Sequence, residues 1–111
     1  MNILFVCTAN IQRSLTAEHL CARLYPCHSF KSAGVSKKEC SRNNSTLCTV
    51  ALLDWADIVF TFEKMHAERI EQHTAGEYTG KIINLNIEDR FQYNAPELIT
   101  LIKEKLANYL P

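Results

Sequence analysis

The stretch ILFVCTANIQRSLTAEHL, Ile3 to Leu20, decides how this chain is read. Its first half is an apolar run of Ile, Leu, Phe and Val that stops at Cys7. That pattern suits a strand buried on both faces of a parallel sheet, here Asn2–Val6. Its second half opens a helix over Ser14–Tyr25, with Leu15, Ala17, Leu20, Cys21 and Leu24 near helical spacing and Pro26 as the stop. Between them lies CTANIQRS, a loop joining the carboxyl end of a strand to a helix N-terminus.

Such a loop has a definite chemistry. Its backbone N–H groups can wrap inward, and the helix dipole adds partial positive charge, so the two attract an anion with several oxygens. Arg13 offers a planar fork that holds two of those oxygens at once. Cys7 sits beneath the donors, where the same dipoles and the guanidinium favour a thiolate. A thiolate facing a bound phosphate in line with its leaving oxygen is arranged for phosphoryl transfer through a phosphocysteine. Ser14 can donate a hydrogen bond to the sulfur. Asn10 tolerates the left-handed backbone that a tight loop needs. Thr8, Ala9, Ile11 and Gln12 complete the expected anion contacts. A free cysteine is more often a buried hydrophobe than a nucleophile; the strand before and the helix after are what raise the pattern above that.

Outward from this stretch, strands and helices alternate. Phe30–Val35 reads as a second strand and Ser36–Asn44 as a polar loop. Thr46–Trp55 reads as a helix with Leu47, Val50, Ala51 and Leu52 or Leu53 inward. Asp57–Phe62 is a third strand, Lys64–His73 a charged helix, Thr74–Gly80 a turn and Lys81–Leu85 a fourth strand. Pro96 fits the first turn of a last helix, with Leu98, Ile99, Leu101, Ile102 and Leu106 on its apolar face. The expected fold is a three-layer α/β domain over residues 1–111: a doubly wound, four-stranded parallel sheet with helices on both faces and right-handed crossovers. Ligands of such sheets bind beyond the carboxyl ends of the strands, which is where Cys7 falls. Trp55 and Asp57 read as a core tryptophan and a strand-start aspartate.

Composition limits the alternatives. The 111 residues suit one core, with 47% hydrophobic and 22% charged residues and a formal net charge of zero. Nothing here points to nucleic acid or an anionic membrane surface, and no apolar run nears the ~20 residues of a membrane span. No basic region precedes an apolar one, so no signal peptide is expected. The five cysteines, Cys7, Cys21, Cys27, Cys40 and Cys48, are odd in number and irregular in spacing. They suggest a reduced cytoplasmic protein rather than a disulfide or zinc scaffold. The four histidines show no ligand spacing, so no metal is expected.

The chain resembles the low-molecular-weight protein tyrosine phosphatases. The matching segments are ILFVCTANIQRSLTAEHL, KSAGV, WADIVFTFEKMH and NIEDRFQYNAPELITLIKEKL, with residues 36–50 outside the match. The resemblance implies metal-free hydrolysis of a phosphorylated substrate, phosphotyrosine first, by a protein expected to act as a monomer without a cofactor. It implies that Asp89 is the general acid, with Glu88 as competitor, and that Ser32 hydrogen-bonds Asn10 to brace the loop. Phe91 and Tyr93 are expected to form aromatic walls around a substrate ring. The chain departs from the family pattern at Gln12, Leu15 and Arg90, and in its altered middle segment. An arsenate reductase of the same fold needs relay cysteines after the third strand, and none follows Cys48. A phosphate-binding module without a working acid is the alternative from another class.

Overall fold

The Ile3–Val6 run is the second strand across in a parallel sheet of four. The computed structural model describes residues 1–110. In chain order these form β1 (Asn2–Cys7), α1 (Arg13–Leu24), β2 (Ser29–Gly34), α2 (Lys37–Asn43), α3 (Val50–Trp55), β3 (Ile58–Thr61), α4 (Lys64–Thr74), a 3₁₀ turn (Thr79–Lys81), β4 (Ile82–Asn84) and α5 (Pro96–Leu106). The strand order is β2-β1-β3-β4, all parallel.

The period-2 alternation of β1 builds the three layers. Ile3, Phe5 and Cys7 face one core with Phe60, the α1 residues Ala17, Leu20 and Cys21, and the α5 residues Leu98, Ile102 and Leu106. Leu4 and Val6 face the other with Val59, Leu53 of α3 and Ile70 of α4. Phe5, Phe60 and Phe62 are fully buried, and each such side chain contributes about 1.5–3 kcal/mol. Phe5 stacks on Phe60 with ring centroids 5.6 Å apart. From β1 the chain winds first to β2 and then back across to β3 and β4. The direction therefore reverses beside β1, and the crevice of a doubly wound sheet opens at its carboxyl end.

The middle segment differs from expectation. Residues 36–44 are not a plain loop: Ser36 caps α2 by accepting from Glu39 N at 3.1 Å, and Asn44 closes it in the left-handed conformation. Only Cys40 of this short helix is buried, so it leaves no apolar periodicity in the sequence. The helix expected from Thr46 begins at Val50, after the cap Thr49. Thr46–Cys48 runs extended beside the end of β2, where Gly34 N donates to Thr46 O at 2.9 Å and Cys48 N to Gly34 O at 2.8 Å. Val50 and Ala51 are exposed and Leu53 carries the burial of α3. Trp55 is half-buried rather than core, with Lys31 Nζ 4.5 Å over its ring. Asp57 stands one residue before β3 and accepts from Asn2 N at 2.7 Å.

Gly34 is where the middle segment, β2 and the Cys7 loop meet. A Cβ there would stand 2.5 Å from Thr8 O and 2.6 Å from Cys40 Sγ, and the first of these is backbone that cannot swing away. Gly34→Ala should cost about 1–3 kcal/mol of stability by overpacking, read by urea denaturation. A variant as stable as the parent would mean that the loop yields freely at this point.

Candidate active site

Three loops converge at the carboxyl end of the sheet: residues 8–12 after β1, Phe62–Glu63 after β3 and residues 85–95 after β4. The first is shaped by Asn10, whose φ of 56° places it in the left-handed region, which its short polar side chain tolerates. Carbonyls of this loop are tied outward. Thr8 O accepts from Ser36 N at 3.1 Å, Gln12 O from Thr16 N at 2.9 Å, and Ala9 O from Ser45 Oγ. Cys40 Sγ lies 3.9 Å from Thr8 O and 3.7 Å from Ala9 O. Among the described residues, no protein acceptor takes the N–H groups of Thr8 through Gln12. The loop therefore has the polarity of an anion cradle, with carbonyls bonded outside and amides unspent.

Cys7 ends β1 and its Sγ lies 3.0 Å from Ser14 Oγ. Asn10 Nδ2 donates to the same Ser14 oxygen at 2.8 Å. With Asn10 on one lone pair, Ser14 keeps its hydrogen for the sulfur, and to a Cys7 thiolate, which can only accept, Ser14 donates. Asn10 is fixed in turn by Thr46 N, which donates to its Oδ1 at 3.3 Å. Cys7, Thr8, Ala9, Ile11, Gln12, Arg13 and Asp89 line one cleft, joined by Glu39 from α2. Asn10 and Ser14 support that cleft from behind.

Arg13 is 2% exposed, and a charge so buried requires partners. Its Nη1 donates to Glu63 Oε2 at 2.9 Å and to Ile87 O at 2.8 Å, which uses both hydrogens of that nitrogen. The guanidinium lies 5.9 Å from the Phe62 ring centroid. Nε and Nη2 carry the remaining donors of the fork. Asp89 Oδ1 approaches that edge, 3.8 Å from Nε.

Asp89 is thus brought to the cleft, and Glu88 is not: it pairs with Arg90 and lines a separate depression beyond Ile87. Three expectations are corrected. Phe91 is no pocket wall, because its ring is buried in the core against which the last helix packs, under the Arg90 guanidinium 4.2 Å away. Tyr93 is exposed and turned to α1, where its hydroxyl and His19 Nδ1 are 2.7 Å apart. Ser32 bonds Glu18 of α1 instead of Asn10, and the Asn10 amide takes Ser14 and Thr46 N as its partners.

Sequence reasoning missed Glu63, His66 and Glu39. His66 is fully buried. Its Nδ1 receives the backbone N–H groups of Phe62 at 3.3 Å and Glu63 at 3.0 Å, capping α4, while its Nε2 lies 3.0 Å from Thr8 Oγ1. The available signal was position: FEKMH directly follows the strand next to β1.

The family comparison agrees with this geometry. The family model described as low molecular weight phosphotyrosine protein phosphatase matches residues 2–52, the part that holds the cradle. That match covers just under half of the chain, and what it shows is a likeness to the family. Among solved structures, Wzb of Vibrio vulnificus in complex with benzylphosphonate is 26% identical with a TM-score of 0.78, over 97% of this chain and 95% of that one. The arginine phosphatase YwlE of Geobacillus stearothermophilus is 26% identical with a TM-score of 0.71, over 96% and 90%. The low-molecular-weight protein tyrosine phosphatase of Streptococcus pyogenes, 15% identical, shares the fold with a TM-score of 0.79 over 99% and 93%. No curated protein sequence matches the chain. Family and neighbours together support a phosphatase.

Burial pushes the pKa of His66 down from 6.5 to about 4; the Arg13 guanidinium adds to the shift and the Asp89 carboxylate opposes it. The unfolded chain takes up this proton near pH 6.5 and the folded chain only near pH 4. Acid in that window therefore favours unfolding. The contribution is fully present above pH 6.5, is lost as pH falls to 4, and levels off below. We expect up to about 3 kcal/mol of stability to disappear across the window. In His66→Gln the dependence of stability on pH should weaken by about one proton. Urea denaturation at several pH values reads both, and an unchanged slope in the variant would assign the effect to other groups.

Proposed function

We propose that this protein is a cysteine-dependent phosphatase that hydrolyses phosphomonoesters, phosphotyrosine first, through a phosphocysteine intermediate. One observation carries the reading: Cys7 Sγ, held 3.0 Å from Ser14 Oγ, lies in the same cleft as Arg13 and Asp89. The N–H groups of Thr8 to Gln12 and the Nε–Nη2 edge of Arg13 would hold the phosphoryl oxygens. The Cys7 thiolate attacks phosphorus, the P–S bond forms and the P–O ester bond breaks. Asp89 gives its proton to the departing oxygen. Water then attacks phosphorus, Asp89 takes its proton, and the P–S bond breaks to return the thiolate, with Ser14 donating to the sulfur as charge reappears. Positioning and electrostatics do most of this work, as in phosphoryl transfer generally.

Ile11, exposed at the rim of the cleft, offers an apolar surface to an aryl ring and favours phosphotyrosine. Phosphoarginine is the second reading, from the YwlE relative. The proposal places the chain as a single-domain monomer acting without metal in a reducing cytoplasm, on a phosphorylated protein or small ester. Neither nucleic acid nor membrane enters it.

Metal-free assays with para-nitrophenyl phosphate and with phosphotyrosine, phosphoarginine and phosphoserine peptides test the substrate. Faster turnover of phosphoarginine than of phosphotyrosine would replace the first reading by the second. Cys7→Ser should abolish turnover while retaining vanadate binding, because the cradle and Arg13 remain; substantial hydrolysis would sink the phosphocysteine route. Arg13→Lys should lose both rate and binding, since one ammonium cannot serve Glu63, Ile87 O and an anion together.

Asp89→Asn should slow esters with poor leaving groups by about 10² to 10⁴ and good ones far less. Equal, small losses on both ester types would remove Asp89 from the acid role.

A further inference from the structure

The hydrogen bonds around His66 fix its tautomer. Two backbone N–H groups, those of Phe62 and Glu63, point at Nδ1. An imidazole nitrogen that receives N–H donors must present its lone pair, so Nδ1 carries no hydrogen. Burial keeps the ring neutral at ordinary pH, and its single hydrogen is therefore on Nε2. That nitrogen lies 3.0 Å from Thr8 Oγ1, and Nε2–H donates to it. The Thr8 oxygen accepts, so its own hydrogen must point away from His66. Thr8 has no other side-chain partner among the described residues, and it lines the cleft directly after Cys7.

We propose that His66 is a positioning residue: through Thr8 Oγ1 it forces the threonine hydroxyl to donate into the anion cradle. The proposal rests on the phosphatase reading for its catalytic consequence, though not for its hydrogen-bond geometry. A bound phosphoryl group then meets an O–H donor beside the backbone amides, and the donor is oriented before the anion arrives. A freely rotating hydroxyl would have to be ordered on binding; this one is ordered by the cap of α4. His66 itself never touches the substrate. Glu63 Oε2 stands 3.7 Å from Nε2 but is engaged by Arg13, so it leaves the imidazole hydrogen to Thr8.

The test couples two residues. Thr8→Val keeps the shape and removes the hydroxyl; it should weaken vanadate binding and lower kcat/KM roughly tenfold, the scale of one hydrogen bond to a charged group. Thr8→Ser should restore most of the loss. His66→Gln can still cap the helix, since glutamine suits the third helical position, but loses the rigid ring that reaches Thr8. It should weaken vanadate binding by a similar factor, and the double variant should be no worse than Thr8→Val alone. Losses that multiply in the double variant, or Thr8→Val binding vanadate like the parent, would overturn the proposal. Nitrogen NMR of the parent protein supplies a measurement that needs no variant and no turnover. A protonated Nε2 and a bare Nδ1 are expected, and the opposite tautomer would end the argument. Because tautomer and vanadate affinity are read without substrate, a protein that hydrolyses none of the esters would refute the phosphatase reading alone.

Discussion

A buried guanidinium organises this end of the molecule. Arg13 begins α1, yet its Nη1 is held by Glu63 from the loop after β3 and by Ile87 O from the loop after β4. One cation thus joins all three loops that form the cleft. Removing the Glu63 carboxylate would take the nearest counter-charge from a cation with almost no access to water, which is far costlier than losing a surface ion pair. The same pairing fixes the fork: with Nη1 occupied, only the Nε–Nη2 edge can serve a ligand.

The site shares a second constraint, the direction of its hydrogen bonds. Thr46 N orients the Asn10 amide, Asn10 donates to Ser14, and Ser14 has its hydrogen free for a Cys7 thiolate. On the other side, Phe62 and Glu63 orient His66, and His66 orients Thr8. Each chain starts at a backbone N–H, a group that can only donate. Two hydroxyls that could rotate in solution are thereby given a preferred direction, which is the preorganisation that charge stabilisation requires.

Much of this was legible in the sequence, and the reasons are specific. The alternation of β1 and the Cys7-to-Arg13 spacing set the sheet and the cradle, and Asp89 fell where the match to the family put it. The 36–50 region was misread because α2 buries only Cys40 and because Thr46–Cys48 is held by two bonds to Gly34, not by a pattern of its own. Phe91 misled because a large aromatic next to a site is as useful to the core as to a substrate, and only packing decides between them. Glu63 and His66 were invisible because their roles come from strand order: β3 is distant from the cradle in sequence and adjacent to it in space.

The outward ties of the cradle carry a consequence for motion. Thr8 O and Ala9 O are anchored on Ser36 N and Ser45 Oγ, and Asn10 on Thr46 N, all within the middle segment. That segment is short, largely exposed and low in buried apolar area, so it belongs to the part of the molecule that opens at the smallest free energy. The catalytic loop cannot be more persistent than these anchors. Fluctuations of α2 and its flanks would release the carbonyls and let the amides of the loop lose their common aim while the sheet stayed intact. The persistence of the ordered cleft therefore depends on the flanks of a short helix that lies outside the sheet.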